Sequence, residues 1–135
     1  MVPRFPEYQF VIAGVSSLDK SLYKKIIGNS DVFLIESQTY ELLQNASAAL
    51  VTSGTATLET ALFSVPEVVC YKTTRINYLL AKWFAKVKFI SLVNLIMGKE
   101  VVKELIQKDL TDEKLVQELE LLLHNAKRQR QLLED

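Results

Sequence analysis

Apolar residues along this chain fall into short continuous runs, and between the runs they recur at helical spacing among polar residues. Tyr8 to Ala13 is rich in valine, isoleucine and aromatics and closes at Gly14, which predicts a strand. Ser17 then precedes a segment with Leu18, Leu22 and Ile26 on one helical face, and Gly28 is placed to stop that helix. The same reading predicts strands over Val32 to Ile35, Ala48 to Val51 and Val68 to Tyr71. It predicts helices over Tyr40 to Asn45 and over Gly54 to Ser64, the latter ended by Pro66. The strands are solidly apolar rather than alternating, so both of their faces must be covered. Regular alternation of strand and helix through short loops then gives an α/β fold, a Rossmann-like parallel sheet with helices on both faces.

After Tyr71 the pattern changes. Arg75 to Lys86 reads as a helix rich in aromatics and lysines, Phe89 to Leu92 as a short strand, and Lys99 to Gln107 and Asp112 to Leu133 as C-terminal helices. Thr111 suits the N-cap of the last helix, although Lys114 stands where a capping-box glutamate would sit. Leu115, Leu119, Leu122 and Leu123 give that helix an apolar face. No internal repeat and no low-complexity linker interrupts the 135 residues, so a single domain over 1–135 is expected. Pro3 and Pro6 ahead of the first strand resemble the end of a loop, and the chain is expected to enter its domain partway, with one strand and one helix of the sheet missing.

Charge and cysteine content exclude several functions. Sixteen basic and sixteen acidic residues give no net charge, against the basic surplus of a dedicated nucleic-acid binder. One cysteine, Cys70, and one histidine, His124, leave no intramolecular disulfide and too few ligands for a Cys/His zinc site. Cys70 lies inside the run Val68-Val69-Cys70-Tyr71 and reads as a small buried apolar residue. His124 lies in a charged helix and reads as solvated. The first residues carry no apolar signal core, and no uncharged run reaches the length of a bilayer span.

The stretch with the most chemistry is Thr52-Ser53-Gly54-Thr55, where an apolar strand runs directly into a helix. The first turn of a helix has unpaired backbone N–H groups and a partial positive charge, which suits phosphate. Gly54 lets a ligand approach the backbone, and Ser53, Thr55 and Thr57 add hydroxyls. Glu59 follows one turn after Thr55 on the same side of the helix, where a carboxylate can accept two hydrogen bonds from a ribose diol. The same residues also make an ordinary helix start with a solvated glutamate, and spacing does not separate the two readings.

Resemblance adds to this. Ser53-Gly-Thr-Ala-Thr-Leu-Glu, Pro66 and Val-Val-Cys-Tyr-Lys are similar to the donor-binding segment of GT-B glycosyltransferases. Tyr71-Lys72, Leu80-Ala-Lys and above all the block Ser91-Leu-x-Asn-Leu-x-x-Gly-Lys-Glu resemble the lipid-A-disaccharide synthase family, over roughly residues 30 to 125. The resemblance implies the C-terminal half of a GT-B fold. The parent enzyme would transfer a diacylated glucosamine from UDP to a diacylated glucosamine 1-phosphate, with inversion, releasing UDP and needing no metal or other cofactor. Ser53, Gly54, Thr55 and Thr57 would then face the UDP phosphates and Glu59 the ribose. Asn94 would either line the same cleft or brace the loop before Gly98. The N-terminal acceptor domain, with the general base, is expected to be absent, so this piece alone is expected to be inactive and no catalytic residue is assigned in it. A sugar-nucleotide epimerase and a non-catalytic nucleotide-binding or regulatory module are the alternatives.

Tyr78, Trp83 and Phe84 beside Lys82 and Lys86 suit a helix lying on a lipid surface. Acylated substrates would place the enzyme peripherally on the cytoplasmic face of the inner membrane. An amphipathic helix with its aromatics on the sheet and its lysines in water fits the same residues.

Overall fold

The computed structural model describes residues 1–74 and 88–124. The helix expected over Arg75 to Lys86 and the end of the last helix, beyond His124, lie outside the described residues. The chain divides into two compact units, 1–45 and 46–135. Both are α/β, and every described strand pair is parallel.

In the first unit β1 (Phe10–Gly14) pairs with β2 (Val32–Glu36), Phe10 opposite Val32 and Gly14 opposite Glu36. Between them runs α1 (Lys20–Ile27). The helix starts two residues later than Ser17 would place it. Asp19 is the cap, its carboxylate accepting the Ser21 N–H at 2.8 Å, and this hydrogen bond holds the Asp19 carboxyl below the usual carboxylate range. Gly28, at φ 56°, ends the helix as expected. The apolar stripe Leu18, Leu22 and Ile26 exists but is exposed, Ile26 at 72%. α2 (Thr39–Asn45) closes the unit, and Phe5 is buried with its ring against Phe10.

The second unit holds the main core. Its sheet runs β3 (Ala49–Thr52), β4 (Glu67–Tyr71), β5 (Lys103–Ile106), with β4 in the centre. Adjacent residues on a strand point to opposite faces, so Val68 and Val69, both fully buried, seed two cores. Val68 packs with Leu105 and with Leu122 of α5 (Asp112–His124). Val69 packs with Val102, with Val93 of α4 (Leu92–Met97), and with Ala61 of α3 (Thr55–Leu62). Helices therefore cover both faces of a parallel sheet, as the solid apolar runs required. Thr111 caps α5, its hydroxyl accepting the Lys114 N–H at 3.2 Å. Cys70 joins the Val68 side, and burial pushes its thiol up to about 11. His124 is exposed at the end of α5.

Two expected elements differ. Phe89 to Leu92 is not a strand: Ser91 is the N-cap of α4, and Gly98 ends that helix in the left-handed region. Lys99 to Gln107 is not a helix: Lys103–Ile106 is β5, Val68 opposite Lys103 and Tyr71 opposite Ile106. The spacing of Val101, Val102, Leu105 and Ile106 fits a helix, but the open edge of β4 satisfies this backbone as a strand, and tertiary pairing overrides local pattern.

Candidate functional site

β3 ends at Thr52 and α3 begins at Thr55, so Ser53 and Gly54 form the whole connection. This turn lies at the carboxyl end of the parallel sheet, where open α/β folds place their ligand crevice. The described helices of eight or more residues at α1 and α5 start with a side-chain cap on an N–H; α3 has none. Its N-cap is Gly54, at φ 146° and ψ −161°, a conformation that disfavours any side chain. Nothing lies within 4 Å of where a Cβ would stand. Thr57 N–H bonds back to the Gly54 carbonyl at 3.3 Å, while the amides of Gly54, Thr55 and Ala56 precede the first turn and have no intrahelical acceptor. These amides, with the exposed Thr55 hydroxyl, make an open, donor-rich helix start.

The other expected residues are placed unequally around it. Glu59 is half-buried on the turn of α3 after Thr55, and its carboxylate makes no hydrogen bond or ion pair among the described residues. Ser53 donates its hydroxyl proton to the Ile90 carbonyl at 2.9 Å, so it braces the turn from behind. Thr57 is fully buried, its hydroxyl donating to the Gly54 carbonyl at 2.8 Å; it shapes the turn and presents no donor outward.

Asn94 is fully buried and belongs to a polar network under α4. Its amide nitrogen donates to the Val102 carbonyl at 2.8 Å and to Glu104 at 2.9 Å. Its amide oxygen accepts the Val101 and Val102 N–H groups at 2.7 and 2.9 Å. All four of its hydrogen-bonding positions are taken by protein, tying the middle of α4 to the chain entering β5. Glu104 completes the network and has no counterpart in the sequence reading, which placed it in a helix; inward polarity within an apolar strand was the signal that could have found it.

The five residues Tyr78, Lys82, Trp83, Phe84 and Lys86 lie outside the described residues. Among the described residues no helix is long and apolar enough to cross a membrane. A cavity of about 220 Å³ lies away from the turn, toward the amino ends of β4 and β5, lined by Leu58, Ala61, Leu62, Glu67, Val93 and Met97 among others.

A parallel sheet covered on both faces, with an uncapped glycine turn at the carboxyl end of a strand, is the layout of a Rossmann-like α/β half-domain. Comparison with known proteins makes this specific. The family model for lipid-A-disaccharide synthetase matches residues 4–134. The chain is 38% identical over 130 residues to the lipid-A-disaccharide synthase of Syntrophus aciditrophicus, covering 94% of this chain and 34% of that protein. It is 39% identical over 127 residues to that of Psychromonas ingrahamii, covering 89% and 32%, and 36% identical over 121 residues to that of Anaeromyxobacter dehalogenans, covering 87% and 32%. The chain belongs to the lipid-A-disaccharide synthase family, which decides against the epimerase alternative. It spans about a third of the length of these curated relatives.

Proposed function

We propose that this chain is the UDP-binding domain of a glycosyltransferase of lipid A synthesis, a single domain completed by an N-terminal acceptor domain. The parent enzyme transfers a diacylated glucosamine from UDP to a diacylated glucosamine 1-phosphate, forms the lipid A disaccharide and releases UDP. The observation that carries the reading is the uncapped start of α3, open over Gly54, with the Glu59 carboxylate one turn further on and unpartnered among the described residues. The diphosphate sits against the amides of Gly54, Thr55 and Ala56 and the Thr55 hydroxyl. Glu59 accepts from the ribose hydroxyls. Ser53 and Thr57 hold the turn in shape, and Asn94 acts at one remove by fixing the chain around α4. Charge on the diphosphate is met here by backbone dipoles, a chemistry that needs no metal. The active cleft of such an enzyme lies between two domains, so this chain alone is inactive.

The test is a titration of the chain with UDP followed by amide NMR. Shifts concentrate between Ser53 and Glu59, and Glu59→Ala weakens binding about tenfold, the worth of a hydrogen bond to a charged group. Unchanged wild-type spectra at millimolar UDP would sink the reading.

Peripheral membrane contact through Tyr78, Lys82, Trp83, Phe84 and Lys86 is part of the same proposal, supported by the pairing of aromatics with lysines and by the acylated substrates. Liposome flotation checks it: the chain floats with anionic vesicles, and Trp83→Ala/Phe84→Ala shifts it to the soluble fraction. Equal flotation of the two removes the membrane contact.

A further inference from the structure

The Glu104 carboxylate reaches from β5 to the start of α4 and collects an unusual number of donors. Its oxygens accept the Ile90 N–H at 3.0 and 3.2 Å, the Ser91 N–H at 3.0 Å, the Ser91 hydroxyl at 2.9 Å and the Asn94 amide at 2.9 Å. The peptide group between Ile90 and Ser91 is thus held on both sides. Its N–H donates to Glu104, and its carbonyl accepts the Ser53 hydroxyl at 2.9 Å. A peptide whose N–H faces a carboxylate carries more negative charge on its oxygen, so the second hydrogen bond strengthens the first. Ser53 is the residue before Gly54, and its only other polar tie among the described residues is a long backbone bond, N–H to the Cys70 carbonyl at 3.4 Å. The side-chain bond is therefore the firmer restraint on the turn.

We propose that Glu104 is a positioning residue for the nucleotide turn, acting through the Ile90–Ser91 peptide on Ser53. This rests on the UDP reading of the turn, and it extends that reading to a residue that never touches the ligand. The relay makes two further statements. Ser53 spends its proton on the protein, so it offers a diphosphate no donor. The Ser91 and Asn94 side chains of the family-like block serve the same carboxylate, so that block acts on the turn from behind.

The experiment uses the full chain with Ser53→Ala, Glu104→Gln and the double variant, read in two ways. The first is the Ile90 carbonyl ¹³C and Ser91 amide proton shifts without ligand. Both single variants move them: Glu104→Gln acts on the Ser91 amide proton directly, and Ser53→Ala moves it from the far side because the peptide loses its polarisation; no movement overturns the relay. The second is UDP affinity. Each single variant weakens it about fivefold to tenfold, and the double variant is no weaker than the worse single, as residues of one chain of contacts must be. Independent effects that multiply, or a folded Glu104→Gln with wild-type affinity, overturn it. If Glu104→Gln does not fold, Ser53→Ala decides through the Ser91 shift. A wild-type chain that ignores UDP sinks the nucleotide reading instead, and the ligand-free shifts still report the relay.

Discussion

Glu67→Met should raise the stability of this chain by about 2–4 kcal/mol at pH 7, the range set by a carboxyl whose proton affinity changes by several powers of ten on folding. Glu67 opens β4 and is 1% exposed, and neither carboxyl oxygen has a hydrogen-bond partner. Burial without a partner penalises the ionised form and pushes the carboxyl from an ordinary 4.5 to about 8. The sign follows directly. The folded state holds this proton more tightly than the unfolded state, so Glu67 costs least below pH 4.5. Its cost grows as pH rises from 4.5 through about 8 and is flat above that. Urea unfolding of wild type and Glu67→Met across pH 4 to 9 should show a gap that widens by up to about 1.4 kcal/mol per pH unit. Glu67→Gln should remove the pH dependence while leaving a buried amide to satisfy. A constant gap across that range would mean that Glu67 finds a cation or water in solution.

Asn94→Ala should act in the opposite direction, with a loss of about 3–5 kcal/mol, since it strands the Val101 and Val102 N–H groups and the Val102 carbonyl together, each orphan costing about 1–3 kcal/mol. Against a total of about 5–15 kcal/mol for an ordinary domain, that is about a third or more of the stability of a domain in the lower half of the range. Thermal unfolding by circular dichroism checks it. A loss below about 1 kcal/mol would mean that water takes over the vacated bonds. Asn94→Asp is the sharper comparison: the oxygen still accepts from Val101 and Val102, but a second carboxylate now faces Glu104, and stability should recover only as pH falls.

The two substitutions mark where the sequence could and could not be read. β1 to β4 and α1 to α3 were legible to within two residues, because each strand is an uninterrupted apolar run and a glycine or proline closes most segments. The Ser53–Thr55 turn was legible for the same reason: strand and helix signals met there with no room between them. What lies beyond Tyr71 was less so. Six residues of α4 span under two turns, too few for a helical period to emerge, and only its caps, Ser91 and Gly98, betrayed it. β5 hides because Glu104 turns inward where a strand on a buried sheet shows an apolar residue, and nothing local states that a carboxylate there will be met by four donors. Glu67 was missed in the same way. A charged residue ahead of Val68 reads as the loop before a strand, and only the packing of α3 and α4 around it makes it interior. Among the candidate residues, backbone position was readable and hydroxyl direction was not. Ser53 and Thr57 look like ligand donors in one dimension, and in three they spend their protons on Ile90 and Gly54.

The lone sulfhydryl has a practical corollary. With its proton held up to about 11, Cys70 is in its reactive anionic form in roughly one molecule in ten thousand at neutral pH. A second thiol introduced at exposed Thr55, in the first turn of α3, would titrate below its ordinary value and take a fluorophore or spin label selectively. One substitution is thus enough for site-specific labelling at the Ser53–Thr55 turn, with Cys70 left in place.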